Sequence, residues 1–207
     1  KEAVPSEESV IRTDSSAVSV VWPMPAGQEI TVGGSGADIS GFTSEAIQSA
    51  ADILHKRGSG GTIVLSPGTY DIIAPVRLFD NITLTGSGPA TILKKCRGFS
   101  SPMAVDADYG ELKITVADAS GFRKGMGVAI YDDSQRSGWD LTTARIISIE
   151  GNTVHIDEYL VRDYRSDKGG TLSNASSVIE AVSASNVRIA NLTVDGSGDT
   201  NTLIDGC

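Results

Sequence analysis

Residues 43–95 constrain the fold most, because they join one amphipathic helix directly to a series of short β-rich runs. Apolar residues in the first part recur at helical spacing; they are Ala46, Ile47, Ala50, Ala51 and Leu54. Thr43 or Ser44 offers a side-chain oxygen as N-cap, and Gly58 offers the left-handed residue that ends a helix. The sequence therefore predicts one helix over residues 43–57.

Short β-rich runs separated by Gly, Pro and Ser turns follow the helix. They cover residues 62–66, 69–73, 76–79, 81–85 and 91–94. A doubly wound parallel sheet would need a helix at every crossover, and no helical pattern separates these runs. The pattern instead predicts an all-β solenoid, in which each strand pairs with its equivalent one coil later and the helix caps the first coil.

Four segments of this region carry a recognisable order of residues: AIQ at 46–48, GGTIVL at 60–65, PGTY at 67–70 and ITLTGSG at 82–88. This order resembles the N-terminal cap and first coils of the pectin-lyase-like superfamily, which includes pectate lyases and polygalacturonases. The resemblance implies a right-handed parallel β-helix that is exported and that cleaves, epimerises or binds polysaccharides. Lyases, hydrolases, epimerases and phage tailspikes share these coils, so the resemblance identifies the fold rather than the reaction.

Composition excludes several classes of partner. The chain has 207 residues, a net charge of −9 and a pI near 4.6, which argues against nucleic acid or an anionic membrane surface as a partner. No apolar run is long enough to span a membrane, and the first residues lack the apolar core of a signal peptide. We expect the sequence to be a mature secreted form or an excised piece of one.

Metal and disulfide chemistry has little support in the sequence. The two cysteines, Cys96 and Cys207, form no CxxC motif, and His55 and His155 stand alone, so no zinc site is predicted. Because free cysteine is usually buried, Cys96 is expected to be a buried thiol after a strand. Pairing between the two cysteines stays open.

The predicted organisation has four parts. Residues 1–16 form a flexible leader, 17–101 the first strands, cap helix and coils, 102–170 an inserted antiparallel β-module, and 171–207 the resumed coils. The insertion is predicted because alternating runs there flank a Gly151-Asn152 hairpin turn. Asn81 and Asn186 each begin an alternating apolar run, and we interpret them as a structural amide ladder between coils.

The segment VDGSGDTNTLIDG contains the first candidate site, formed by Asp195, Asp199 and Asp205. Acids at the ends of neighbouring strands can bind Ca²⁺, or can supply the acid and base of a glycosidase. The alternative is that these Asp–Gly and Gly–Asp pairs only form turns, with side chains bonded to their own backbone.

The second candidate is the loop YDDSQRSGWD at residues 131–140, which we predict to be a polar hairpin tip. Trp139 is expected to stack on the C–H face of a sugar. The hydroxyls of that sugar would bond the charged side chains of the loop, which are Asp132, Asp133, Arg136 and Asp140. The alternative is a solvated loop with the tryptophan folded back on the module.

A third charged segment, RDYRSDK at residues 162–168, offers cations for an acidic polysaccharide. Its alternating signs are more typical of an exposed loop held by salt bridges, and we take that interpretation.

The sequence as a whole predicts an exported polysaccharide lyase or glycoside hydrolase, of which this chain is the N-terminal portion. Catalytic residues would then lie beyond Cys207. A non-catalytic carbohydrate-binding or tailspike-like adhesion module is the alternative, and a structural stalk is the second alternative.

Overall fold

The computed structural model describes residues 9–13, 16–20, 28–134 and 140–201. In this part of the chain the fold is all-β with one α-helix, α1 (Ser44–Arg57), and one 3-10 turn at Ser166–Lys168. The strands in chain order are β1 (Ser9–Thr13), β2 (Ser16–Val20), β3 (Glu29–Gly33), β4 (Ile39–Ser40), β5 (Gly61–Leu65), β6 (Gly68–Ile72), β7 (Val76–Arg77), β8 (Ile82–Thr85), β9 (Thr91–Lys95), β10 (Ser100–Pro102), β11 (Lys113–Thr115), β12 (Gly127–Tyr131), β13 (Thr142–Glu150), β14 (Thr153–Ile156), β15 (Thr171–Asn174), β16 (Ile179–Glu180), β17 (Arg188–Ala190) and β18 (Thr193–Asp195).

The predicted helix is confirmed at both ends. The Thr43 hydroxyl accepts a hydrogen bond from the Ala46 N–H at 3.2 Å, and Gly58 closes the helix with a left-handed φ of 75°. The apolar face joins the core cluster of β3, β5 and their neighbours; its buried residues are Ala46, Ile47, Ala50, Ala51 and Leu54. The helix therefore packs both on strands that precede it and on strands that follow it.

The chain divides into two compact units. Unit 1 comprises Lys1–Lys95 and Val178–Gly196, and unit 2 comprises Cys96–Ser177 and Ser197–Cys207. The chain thus leaves unit 1 after Lys95 and returns to it at Val178. No helix in the described part of the chain is long and apolar enough to cross a membrane.

Most strands of unit 1 stack in parallel, and we call each successive strand of such a stack a rung. In register, β3 pairs with β5, β5 with β8, and β8 with β17. Ile30, Ile63 and Leu84 form one column of this register and are fully buried. Ile189 continues the column on β17 and is 46% exposed, so the buried column ends at this rung within the described residues.

The predicted relation between Asn81 and Asn186 is confirmed. The Asn186 side-chain amide donates to the side-chain carbonyl of Asn81 at 2.9 Å, one rung apart. Both residues have a left-handed backbone, with φ of 60° and 56°, and Gly60 holds the equivalent place one rung earlier with φ of 67°. A left-handed residue therefore precedes the strand in three successive rungs.

The stack of parallel strands begins earlier than the sequence indicated. We expected the first coil to start at residues 62–66, but β3 already pairs in parallel with β5. The strands β1 and β4 were not predicted, because β4 is only two residues long and β1 lies in a polar segment without clear alternation. Their pairing partners, β2 and β3, supply the hydrogen bonds that make them strands.

Unit 2 contains an antiparallel sheet in the order β10-β15-β12-β13-β14-β11. The sheet extends beyond the predicted limits of 102–170, since β10 and β15 lie outside or across them. Thr171–Asn174 was missed because its buried positions include Ser173 and Asn174, so the sequence lacks apolar alternation there. Cys96 is buried, as predicted.

Candidate functional site

The acid-rich loop at residues 131–140 connects the antiparallel strands β12 and β13 of unit 2. The structure describes its two stems, residues 132–134 and Asp140. The predicted sugar contacts Arg136 and Trp139 lie outside the described residues. The described part of this candidate site therefore consists of the two stems and the residues that bind them.

Asp132 is buried in the first stem, and both oxygens of its carboxylate accept hydrogen bonds. Oδ1 accepts from the Ser134 N–H at 3.0 Å, from the Ser134 hydroxyl at 2.6 Å and from Arg162 Nη2 at 2.8 Å. Oδ2 accepts from the Arg165 backbone N–H at 2.8 Å. Burial raises the pKa of Asp132, but these hydrogen bonds to the ionised form outweigh burial and hold the pKa well below its usual range. The side chain is therefore an ionised anchor inside the protein.

One guanidinium ties the two stems together. Arg162 Nε donates to the Asp140 carbonyl at 2.7 Å, while Nη2 binds Asp132 in the other stem. Nη1 donates to the Ser134 hydroxyl at 3.2 Å and to the Asp163 carbonyl at 2.9 Å. The Arg162 side chain is only 17% exposed. A planar fork of donors is suited to this task, because it reaches several acceptors in fixed directions.

The Tyr164 ring packs against the Arg162 guanidinium. The Arg162 Cζ lies 4.2 Å from the centre of the Tyr164 ring, in cation–π geometry. The Tyr164 hydroxyl shares a 2.7 Å hydrogen bond with Thr142 and also donates to the Asp140 carbonyl at 3.4 Å. Burial raises the pKa of Tyr164. The phenol is therefore a neutral partner that fixes the second stem.

The other two predicted acids differ from Asp132. Asp133 is exposed, its N–H donates to the Lys168 carbonyl at 2.8 Å, and its carboxylate makes no hydrogen bond within the described part of the chain. Asp140 is half-buried, and its backbone carbonyl is bound by Arg162. Of the described acids in the loop, Asp133 is thus the one whose carboxylate is presented to solvent.

The segment at residues 162–168 is held by salt bridges, as we interpreted it. Arg165 binds both oxygens of Asp167, at 2.9 and 3.1 Å. The Ser166 hydroxyl and N–H both donate to Asp106 at 2.7 Å. These bonds from Ser166 lower the pKa of Asp106. The charges of the segment are therefore largely neutralised within unit 2.

Sequence reasoning missed the contact between Arg162 and Asp132, which joins the second and third candidate segments. The sequence contained a signal for it, since Asp132 is an acid that directly follows the apolar strand β12 and needs a cation if buried. The partner was not evident because Arg162 lies 30 positions further along the chain than Asp132. In the structure, the described stems of the loop and the charged segment are joined by these hydrogen bonds.

The structure describes two of the three acids of the first candidate site, Asp195 and Asp199. Asp195 ends β18, and its carboxylate lies 3.4 Å from the Lys94 ammonium of the neighbouring strand. Asp195 belongs to unit 1 and Asp199 to unit 2, while Asp205 lies outside the described residues. Among the residues that the structure describes, no three His, Cys, Asp or Glu side chains are placed to hold a metal ion. The calcium site at these three acids stays a prediction, because Asp205 lies outside the described residues.

Three solved structures resemble this chain: the tailspikes of Pseudomonas phage phi297, of Acinetobacter baumannii phage AP22 and of Pseudomonas phage LKA1. Their sequence identities are 16%, 17% and 20%, with TM-scores of 0.35, 0.33 and 0.34. Each match covers 72% of this chain, which spans 30%, 31% and 28% of the respective tailspike chains. The AP22 tailspike was solved in complex with a capsular saccharide of A. baumannii.

Comparison with curated proteins gives no match. The family model described as rhamnogalacturonase A/epimerase, pectate lyase-like, matches residues 30–205. The match includes the parallel strands of unit 1 from β3 onward and nearly all of unit 2. The chain therefore belongs to the rhamnogalacturonase A/epimerase, pectate lyase-like family.

Proposed function

We propose that unit 1 forms the first coils of a right-handed parallel β-helix that α1 caps, and that unit 2 is a module inserted between two strands of one coil. Family membership supports this proposal, as does the register, in which β7 pairs in parallel with β16 although Cys96–Ser177 of unit 2 lies between them in the sequence. The antiparallel sheet of unit 2, which carries the loop at residues 131–140, is a suitable scaffold for a binding loop.

On this scaffold, the chain acts as a polysaccharide-recognition module, and the loop at residues 131–140 makes the sugar contact. The observation that carries this proposal is the bridge that Arg162 makes between the two loop stems. Such a bridge fixes the ends of a loop and lowers the entropy that binding must remove. The proposal also rests on membership of a polysaccharide-active family.

Each side chain of the loop then has a role. Trp139 stacks on the C–H face of a pyranose ring, because an indole combines a large apolar face with low conformational entropy. Asp133 accepts hydrogen bonds from sugar hydroxyls, and its exposed carboxylate supports that role. Arg136 and Asp140 complete the polar contacts. Asp132 serves as the anchor and is not a sugar contact, since both its oxygens already accept hydrogen bonds.

Affinity electrophoresis tests the proposal. Native gels would contain rhamnogalacturonan, polygalacturonate or a neutral glucan, and retardation of the wild-type chain would be compared with that of Trp139→Ala. We expect retardation on at least one of these polysaccharides and its loss in the variant, with an unchanged melting temperature. Trp22→Phe is the matched control and should be retarded like the wild type.

Two results would overturn the proposal. Equal retardation of Trp139→Ala and wild type would remove the loop as the contact. Absence of retardation on every polysaccharide would instead favour the structural stalk.

A processing role is the second candidate, because the family is named after enzymes that cleave or epimerise pectic polymers. Asp195, Asp199 and Asp205 remain the proposed acids. A lyase releases unsaturated products that absorb in the ultraviolet, and a hydrolase releases reducing ends. Either signal in the wild type, lost in Asp199→Asn, would assign catalysis to this chain. We further propose that the protein acts outside the cell, where such polymers occur.

A further inference from the structure

Two short segments of unit 2, residues 105–112 and 157–164, expose a large share of the apolar side chains on the surface. Half of the ten large exposed hydrophobic residues in the described part of the chain lie in these sixteen positions. They are Val105, Tyr109, Leu112, Tyr159 and Val161. Single exposed apolar side chains are ordinary, but a concentration of them marks an interaction surface. We call these two segments the tyrosine surface.

The two segments run antiparallel and hold each other in place. The backbones of Ala107 and Tyr164 exchange two hydrogen bonds, of 3.0 and 2.8 Å. Further along, the Gly110 N–H donates to the Leu160 carbonyl at 2.9 Å, and the Leu160 N–H donates to the Glu111 carbonyl at 3.0 Å. Ala107, Leu160 and Tyr164 are buried, so they anchor both segments in unit 2.

Tyr109 and Tyr159 are the most exposed aromatic side chains that the structure describes, at 73% and 64%. Each lies beside a fixed backbone position. The Tyr109 N–H donates to the Asp163 carboxylate at 2.7 Å, and Tyr159 directly precedes the buried Leu160. A tyrosine on a fixed backbone loses little conformational freedom when it binds a partner, because its side chain has only two torsions. The two rings are therefore suited to contact a ligand.

The charge of the tyrosine surface limits which ligand it can bind. Its sixteen positions contain six acids and one cation, Arg162. Arg162 binds both stems of the neighbouring loop, so this cation is already engaged and the surface adjoins the loop. The flanking cations also lie beside acids. Lys113 is 3.7 Å from Glu111. Arg165 is 2.9 Å from Asp167. The tyrosine surface is therefore negatively charged.

We propose that the tyrosine surface is a second saccharide contact and that it selects a neutral polysaccharide. Tyr109 and Tyr159 stack on the C–H faces of sugar rings, and the exposed carboxylates of Asp108 and Glu158 accept hydrogen bonds from sugar hydroxyls. A uronate polymer would bring like charges to these acids, which lowers its affinity. This inference rests on the proposed function, because it takes a polysaccharide as the ligand, and it adds the class of polymer.

Affinity electrophoresis of the full chain separates the classes of polymer. Native gels would contain a neutral β-glucan, a neutral galactomannan or polygalacturonate. We expect at least one neutral polymer to retard the wild type more strongly than polygalacturonate does. Added salt should leave that retardation unchanged, because stacking on a neutral sugar is not screened by ions. Stronger retardation by polygalacturonate than by either neutral polymer would contradict the inference.

Variants locate the contact. Tyr109→Ala and Tyr159→Ala should each weaken binding of the neutral polymer at least about threefold, because each removes one stacking ring. Tyr109→Phe keeps the ring and should bind nearly as the wild type does. Val182→Ala truncates an exposed apolar side chain of unit 1 and is the matched control, which should bind like the wild type. Since both tyrosines are exposed, unchanged melting temperatures should accompany the losses.

Failure of this inference can be told apart from failure of the loop proposal. If either tyrosine variant is retarded like the wild type while Trp139→Ala is not, the loop proposal stands and this inference fails. If Trp139→Ala is retarded like the wild type while both tyrosine variants are not, this inference stands without the loop. Retardation by polygalacturonate alone would keep polysaccharide recognition and remove the selection of a neutral polymer.

Discussion

Asn186 donates its side-chain amide to the side-chain carbonyl of Asn81, one rung earlier, at 2.9 Å. Both residues are left-handed, a conformation that asparagine tolerates better than other residues with a side chain. At the equivalent place in the preceding rung, Gly60 lies so close to the backbone carbonyl of Asn81 that no Cβ atom fits. At this place in the stack, asparagine is tolerated where the following rung leaves room for its side chain. Glycine is required where the backbone of the following rung fills that space, as it does at Gly60.

The first prediction compares two left-handed glycines, Gly60 and Gly58. Gly60→Ala should destabilise the protein by about 2–4 kcal/mol, because left-handed strain adds to a clash with the Asn81 backbone. Gly58→Ala should cost only about 1 kcal/mol, since open space surrounds its position and strain acts alone. Denaturant unfolding followed by circular dichroism measures both. Equal losses in the two variants would refute the steric account.

The second prediction concerns the amide ladder. Asn81→Gly keeps the left-handed backbone and removes the hydrogen bond, as does Asn186→Gly. A double-mutant cycle over the two positions should give a coupling free energy of about 0.5–1 kcal/mol, as expected for one partly solvated hydrogen bond. Strictly additive single-variant effects would show that the amide contact contributes nothing.

The third prediction is a pH dependence that comes from Asp132. Its pKa is lower in the folded protein than in the unfolded chain, so its contribution to stability is complete above the unfolded value, near 4. That contribution is lost as the pH falls through the folded pKa. The unfolding free energy of the wild type should therefore drop more between pH 5 and pH 2 than that of Asp132→Asn.

Asp133→Asn is the control for this measurement, because it removes an acid from the neighbouring position without breaking the anchor. We expect the pH profile of Asp133→Asn to resemble that of the wild type more closely than the profile of Asp132→Asn does. At pH 7, Asp132→Ala should cost about 3 kcal/mol, because it leaves the Arg162 guanidinium without its buried partner. Parallel pH profiles for wild type and Asp132→Asn would contradict the assignment.

The fourth prediction tests whether position 162 needs the planar guanidinium of arginine or only a positive charge. Arg162→Lys keeps the charge but cannot reach both loop stems, so it should destabilise the protein by about 1–3 kcal/mol. Arg165→Lys changes an exposed ion pair with Asp167 and should have little effect. Thermal unfolding of the two variants in parallel is the measurement. A larger loss in Arg165→Lys would reverse the assigned roles.

Local sequence signals predicted the parts of the fold that depend on local physics. The helix was predicted because capping groups and a helical apolar period occur together over residues 43–57. The parallel runs were predicted from their alternation and turns, and Asn81 and Asn186 were paired because each begins an equivalent run. Each of these signals lies within a few residues of the structure that it specifies.

The features that the sequence did not predict depend on contacts between residues far apart in the chain. The strand β15 is defined by its partners β10 and β12, because its own residues include buried polar side chains that no alternation reveals. Arg162 reaches Asp132 across 30 residues, and neither position alone indicates the other. The Asn174 side-chain amide donates to the Arg97 carbonyl, which is 77 residues away in the sequence. Such contacts are fixed by the tertiary fold and are not visible in a single sequence.

The most direct test of the central claim, that the anchored loop contacts the saccharide, is the fluorescence of Trp139. In the Trp22→Phe variant Trp139 is the sole tryptophan, since the chain has two. Titration with the polysaccharide that retards the protein in gels should produce a saturable blue shift, because stacking on a sugar removes the indole from water. Retardation in gels without any change in Trp139 emission would contradict the account.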